Sequence, residues 1–280
     1  MFLQFIPTFK AFTTLESISI ASTCSGTSWL YTSLSKLYAS CSTLTSLAIS
    51  DGSGRQLTKA NSVDQIFLGS PKPSRLRRLS LHDCFVHIDK LTLPHLRQLT
   101  SLELICVRHI YYQGGSDSYG YPCDIWSTFI GSGIQLEELV HNSMTVSLID
   151  YLSSYSGLKK LKLSVSAFTD ASSSNKAATR FFNNVLSRHV ETLESLSLDA
   201  WYEDEWCFTP RNAGMVSQCT KLNHLLMSII SDKTSSNSRS LQGEEFDAAN
   251  PDRNLVVSFF LPQPAPLTVT HHTTSTETSP

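Results

Sequence analysis

Residues 76–81 read LRRLSL and residues 99–104 read LTSLEL. Each has leucine at its first, fourth and sixth places, and polar side chains at its third and fifth. In extended backbone that pattern turns the first, fourth and sixth residues into a core, and the third and fifth to the opposite face. The phrase is not confined to these two places. With aliphatic exchanges it recurs as LESISI from Leu15, LTSLAI from Leu44, LEELVH from Leu136, LKKLKL from Leu158, LESLSL from Leu193 and LNHLLM from Leu222. The copy from Leu136 is degenerate, ending in His141. Successive starts lie 29, 32, 23, 37, 22, 35 and 29 residues apart, on average just under 30. Such self-similarity marks a repeat architecture, and some 20 residues between short strands leave room for a return path, so the strands are expected to be parallel.

The connectors support that reading. In SWLYTSLSKLYASC, Leu30, Leu34, Leu37, Tyr38 and Cys41 fall on one face of a helix. In KAATRFFNNVLSRHV, Ala178, Phe182, Val185, Leu186 and Val190 do the same. Thr209-Pro210 has the form of an N-cap followed by proline at the first helical position. Residues 124–130 and 148–155 carry shorter versions of the stripe, whereas Pro94 sits in a connector too short for a regular helix. Three residues before each first leucine stand Phe12, Cys41, Pro73, Leu96, Gly133, Tyr155, Val190 and Cys219, mostly groups able to enter the core. Cysteine there reads as a small buried hydrophobe.

The units beginning Cys41-Ser-Thr-Leu44, Leu76-Arg-Arg-Leu79-Ser-Leu81-His-Asp-Cys84 and Cys219-Thr-Lys-Leu222 resemble the cysteine-containing leucine-rich repeats of F-box proteins. The chain over about residues 2–230 is similar to the loosely repeated half of fungal F-box proteins. The resemblance implies an α/β solenoid of about eight leucine-rich repeats, with a curved parallel sheet inside and helices or irregular turns outside. It also implies protein recognition: the partner would be a substrate brought to a cullin-RING ubiquitin ligase, with no reaction carried out by this chain. No F-box is found, so a ligase adaptor is a partner only if one precedes the repeats. A free-standing scaffold or truncated gene product, and a regulator of a small GTPase, remain as other readings. The GTPase reading requires an arginine or asparagine presented to the nucleotide, and none is identified.

Composition bounds the rest. The 280 residues include 36 Leu, 44 Ser and 25 Thr, with 16% charged residues and a net charge of −2. That balance lacks the basic excess expected of a nucleic-acid binder, and 41% hydrophobic content is too high for disorder throughout. Residues 1–7, MFLQFIP, have no basic leader region, and the apolar run at 255–261 is too short to span a bilayer, so a cytoplasmic or nuclear protein is expected. The seven cysteines form no Cys-x-x-Cys pair and are read as reduced. Phe2, Phe5, Phe9 and Phe12 place an apolar connector almost at Met1, as though the chain begins inside a repeat; a capping helix is the other reading. Residues 231–280 abandon the phrase, hold five of the eleven prolines and read as a mostly disordered tail. Within that tail, 255–261 can add a last strand, which Pro262, Pro264 and Pro266 restrict to an edge.

No nucleophile elbow, phosphate-binding loop, zinc helix or dinucleotide fingerprint occurs, and no cofactor or metal is expected. Asp51-Gly-Ser-Gly54 reads as a turn. His82, Asp83, Cys84 and His87 are close in sequence but lie on different faces of a strand and turn, which does not suit a tetrahedral site. The candidates for partner contact are of two kinds. The concave face, taken from the third, fifth and seventh places, carries mostly serines together with Arg78, Glu103, Glu138, Lys160 and Lys162. Two loops after strands are richer in aromatic residues: Tyr111, Tyr112, Tyr119 and Tyr121 in YYQGGSDSYGYP, and Trp201, Tyr202 and Trp206 around three acidic residues. Packing of these aromatics against their own repeat is the competing reading.

Overall fold

The computed structural model describes residues 14–22, 28–51, 63–67, 70, 73–86, 88, 91–105, 108–109, 125–165, 168, 170–200, 205–229 and 255–260. The chain divides into two compact units, Met1–Asn142 with Asp150–Leu158, and Ser143–Ile149 with Lys159–Pro280.

In chain order the first unit holds β1 (Ser17–Ser22), α1 (Ser28–Ser40), β2 (Ser46–Asp51), α2 (Asp64–Phe67), β3 (Arg78–His82), β4 (Phe85–Val86), α3 (Leu93–Leu96), β5 (Ser101–Ile105), β6 (Arg108–His109), α4 (Ile125–Ser132) and β7 (Glu138–His141). The helix α5 (Val146–Ser153) contributes its last residues to this unit. The leucine phrases are the strands. They pair side by side in the order β1-β2-β3-β5-β7, all parallel, while β4 and β6 form a separate two-residue ladder. Register follows the phrase without a slip. Ile18, Leu47, Leu79, Leu102 and Leu139 stand opposite one another, and so do Ser17, Ser46, Arg78, Ser101 and Glu138. Leu44, Leu47 and Ile49, each 1% exposed, and their equivalents Leu76, Leu79, Leu81, Leu99, Leu102 and Leu104 are buried. Full burial of one such side chain stabilises the fold by about 1.5–3 kcal/mol, which makes this ladder the main cohesive feature of the unit.

The second unit holds β8 (Lys160–Val165), α6 (Ala171–Arg180), a π-helical turn (Phe181–Leu186), α7 (Ser187–His189), β9 (Ser195–Ala200), α8 (Pro210–Val216), β10 (His224–Ile229) and β11 (Leu255–Phe260). Here β8, β9 and β10 are parallel and in register, with Leu161, Leu196 and Leu225 aligned, and β11 runs antiparallel to β10. Of the segment read as a disordered tail, residues 255–260 are therefore an edge strand.

A backbone feature repeats with the phrase. The carbonyl of the second residue of one copy accepts two N–H groups, from the second and third residues of the next copy. Glu16 accepts from Thr45 and Ser46, Thr45 from Arg77 and Arg78, Arg77 from Thr100 and Ser101, and Thr100 from Glu137 and Glu138. In the second unit, Lys159 accepts from Glu194 and Ser195, and Glu194 from Asn223 and His224. All twelve bonds are 2.7–3.2 Å long. The strand-entry N–H groups are thus satisfied by main chain, and the second residue varies among Glu, Thr, Arg, Lys and Asn; where it is Thr45 or Thr100, its hydroxyl also donates to the same carbonyl, at 3.2 Å.

The connectors follow the expected stripes, with instructive departures. Leu30, Leu34, Leu37, Tyr38 and Cys41 are all buried. α4 ends in a Schellman arrangement: Ile134 N–H donates to Phe129 C=O and Gly133 N–H to Ile130 C=O, each at 3.1 Å. Gly133, at φ +65°, supplies the left-handed residue this closure needs, which explains why glycine stands where most copies carry an apolar group. The expected regular helix over 176–190 instead passes through a π turn, and Phe181, Phe182, Val185 and Leu186 are all buried there. Asp170 caps α6, accepting from Ser173 N–H at 2.8 Å.

One buried histidine makes the first unit sensitive to acid. His95 in α3 is 5% exposed, stacks on Phe67 at 5.3 Å, and has Nδ1 3.3 Å from the Tyr38 hydroxyl. Burial lowers its pKa from the ordinary 6.5. The unfolded chain therefore takes up this proton at a higher pH than the folded one, so the contribution of neutral His95 is complete above about pH 6.5 and declines as pH falls below it. His95→Phe keeps the stacking and removes the titration. Urea unfolding at pH 7.5 and 5.0 should show wild type losing more stability on acidification than the variant; equal losses would contradict this assignment.

Candidate functional site

The third, fifth and seventh places of the phrase, the face opposite the leucine ladder, bring several expected residues of the first unit together. Row three reads Ser17, Ser46, Arg78, Ser101, Glu138, and row five reads Ser19, Ala48, Ser80, Glu103, Val140. Arg78 is exposed and Glu103 and Glu138 are half-buried. With neighbouring strands about 4.8 Å apart, Arg78 and Glu138 have backbones roughly 10 Å apart, with Ser101 between them.

Glu103 is the best-defined group on this face. One carboxylate oxygen accepts the Ser80 hydroxyl at 2.7 Å, and the other lies 3.3 Å from His82 Nε2. The side chains of His82 and Glu103 are 38% and 37% exposed, so the carboxylate is held from one side and open to solvent on the other. Ser80 and Glu103 are both fifth residues of adjacent copies, and His82 is the seventh residue of the Ser80 copy. That coincidence of register was readable, but the closing of the three side chains on one carboxylate was not. Chemically, the serine proton is directed to Glu103 and the imidazole also faces Glu103. The trio thus orders a carboxylate for recognition; it does not set up a serine–imidazole nucleophile pair. A fixed, partly desolvated carboxylate beside an exposed guanidinium offers a partner one acceptor and one fork of donors.

In the second unit, Lys160 and Lys162 are exposed at the third and fifth places of the phrase. Within this unit row three reads Lys160, Ser195, His224, and row five Lys162, Ser197, Leu226. Two of the serines expected on this open face are covered instead. Ser197 is 5% and Ser228 is 2% exposed. Ser228 pairs in register with Val256 of β11, and its carbonyl accepts from Phe208 N–H at 2.8 Å.

Trp206 requires a correction. Read as a partner-contact residue, it is 0% exposed and forms part of the core of the second unit. Its ring lies 5.4 Å from Phe181 and 6.2 Å from Phe182, and Nε1–H donates to Ser174 Oγ at 3.1 Å. The chain then turns into α8, where Asn212 Nδ2 donates to Cys207 C=O at 2.7 Å and its Oδ1 accepts from Thr209 N–H at 2.9 Å. Glu205 is ion-paired with Arg211. The Glu205 charge thus serves the local turn. The other loop candidates, Tyr111, Tyr112, Tyr119, Tyr121, Trp201 and Tyr202, lie outside the described residues.

Among the described residues no group of His, Cys, Asp and Glu is placed to hold a metal ion, and no helix is long and apolar enough to cross a membrane. Cys84 is fully buried, its thiol donating to His82 C=O at 3.1 Å, and Asp83 between them takes φ +53°, a left-handed turn. Cys41, Cys207 and Cys219 are also buried as free thiols, and burial pushes Cys219 up to about 11. Cys41 and Cys219 are buried as expected at their places before the leucine phrase, and Cys84 and Cys207 are buried likewise.

Compared with protein-family models, with curated proteins and with solved structures, the chain finds no match in any of the three.

Proposed function

We propose that this chain is a protein-recognition module of leucine-rich-repeat type, acting as the substrate-recognition part of an F-box-type ubiquitin-ligase subunit and carrying out no chemistry of its own. The α/β architecture of parallel strands with intervening helices supports the repeat, as does the leucine register. The observation that carries the recognition reading is the ordered, half-exposed Glu103 carboxylate, fixed by Ser80 and His82 on a face that also bears Arg78 and Glu138. Opposite charges held on a rigid ladder give a partner orientation and specificity without requiring a deep pocket. The ubiquitin-ligase assignment rests on the resemblance of the repeats to those of F-box proteins.

The test is affinity purification of the full tagged chain with quantitative mass spectrometry, comparing wild type with a Glu103→Lys, Glu138→Lys double variant. Both positions are half-exposed, so the variant should keep its circular dichroism and unfold within about 1 kcal/mol of wild type. The expected result is selective loss of one protein partner, by tenfold or more, with cullin and adaptor subunits recovered equally by both forms when the tag is placed on the gene product, so that an F-box preceding the repeats is carried with it. Identical partner sets would contradict recognition by this face. A recognised partner without ligase subunits would refute the ligase assignment alone.

A further inference from the structure

The last leucine phrase ends at Met227, and its strand β10 is bordered on one side by β9 through His224–Met227 only. On its other side β10 is covered over all six residues, His224–Ile229, by β11. This covering strand differs from every repeat strand in direction and in origin. It runs antiparallel, and Leu255 stands directly opposite Ile229, so the chain leaves β10 and re-enters beside it. A tight hairpin makes that return with two to five residues; here 25 intervene, residues 230–254. The segment itself, LVVSFF, carries no charge, is rich in strand-forming residues, and is followed by Pro262, Pro264 and Pro266, which cannot continue a ladder.

We propose that the free edge of β10 is a strand-docking site, and that Leu255–Phe260 is its tethered, displaceable occupant. The edge accepts an extended, uncharged segment rich in β-branched and aromatic residues, entering antiparallel. The chain's own segment fills the site because an uncovered edge at the end of a parallel ladder exposes a row of backbone donors and acceptors. The affinity comes from main-chain hydrogen bonds, as in strand addition generally. Because Leu255–Phe260 belongs to the same chain, it holds the site in the isolated protein, and a matching free segment competes for it. The site belongs to the second unit and Glu103 to the first, and the proposal stands whichever partner Glu103 meets.

The test uses the full chain and a fluorescein-labelled peptide of residues 253–262. Adjacent strand residues direct their N–H groups to opposite sides, so the double variant V256P/V257P removes a donor facing β10 in either phase. Fluorescence anisotropy should show the peptide binding the variant at least about tenfold more tightly than wild type, whose own strand occupies the edge. Failure to bind a variant with wild-type circular dichroism, or equal binding to both, would overturn the proposal. Hydrogen exchange on unmodified wild type gives an independent reading should the variant not fold. Those amides of Leu255–Phe260 that face β10 are expected to exchange at least about tenfold faster than those of Leu196 and Leu198 in β9, reflecting release of the strand without unfolding of the sheet. Equal protection would overturn the proposal.

Discussion

Trp206→Ala is expected to lower the stability of the second unit by about 3–5 kcal/mol, the range for removing a large aromatic side chain from a packed core. The indole is 0% exposed and packs against Phe181 and Phe182, while Phe168 lies 6.4 Å away. Three rings lose their common neighbour, and the Ser174 hydroxyl, 7% exposed at the residue level, loses the donor it accepts from. Trp206→Phe separates these contributions. It retains much of the apolar contact and removes the Nε1–H bond to Ser174, so a smaller loss of about 1–3 kcal/mol is expected. Urea unfolding followed by circular dichroism, with the slope of the transition checked for constancy, distinguishes the cases. An unfolding midpoint for Trp206→Ala within error of wild type would show that the ring does not pack as described.

The second large effect concerns two neighbouring residues with opposite roles. Leu102→Asn should cost the first unit about 3–5 kcal/mol, because Leu102 is 2% exposed, stands between Leu79 and Leu139 in the ladder, and would be replaced by an amide with no partner there. Ser101→Asn, one residue earlier, should change stability by no more than about 0.5–1 kcal/mol, since Ser101 is half-buried on the opposite face. Alternation along a strand is the whole cause of the difference. Comparable effects at the two positions, measured by urea unfolding, would contradict the register.

The strands were legible for the same reason. Apolar first, fourth and sixth places and a polar third place recur along the chain, and even where the fifth copy breaks the pattern with His141, Leu136 and Leu139 remain buried and hold the register. The helix over Ser28–Ser40 was legible from its stripe. Other features left less trace. The π turn at Phe181–Leu186 could not be told from an ordinary helix, because its apolar residues also fit a 3.6-residue period. The double acceptance by second-position carbonyls is a main-chain property and imposes no residue type. Composition left Trp206 open between partner contact and packing on its own repeat, since tryptophan beside acidic residues suits both; its burial depends on Phe181, 25 positions away, and its hydrogen bond on Ser174, 32 away. The serines at Ser197 and Ser228 followed the polar places of the phrase, yet lie covered, because periodicity reports which way a side chain points and not what approaches it. For the site, Arg78, Glu103 and Glu138 could be assigned to one face from register alone, whereas the closing of Ser80 and His82 on one carboxylate required side-chain geometry.

A partner protein is proposed to meet the face bearing Glu103. Site-specific photo-crosslinking in cells tests it most directly, with a photoreactive amino acid placed in turn at Ser46 and Ser101 on that face and at Lys36 on the exposed side of α1. A shared protein adduct is expected from Ser46 and Ser101, absent from Lys36 and abolished by Glu103→Lys. Adducts of equal strength from Lys36, or none from Ser46 and Ser101 while Lys36 captures a partner, would contradict it.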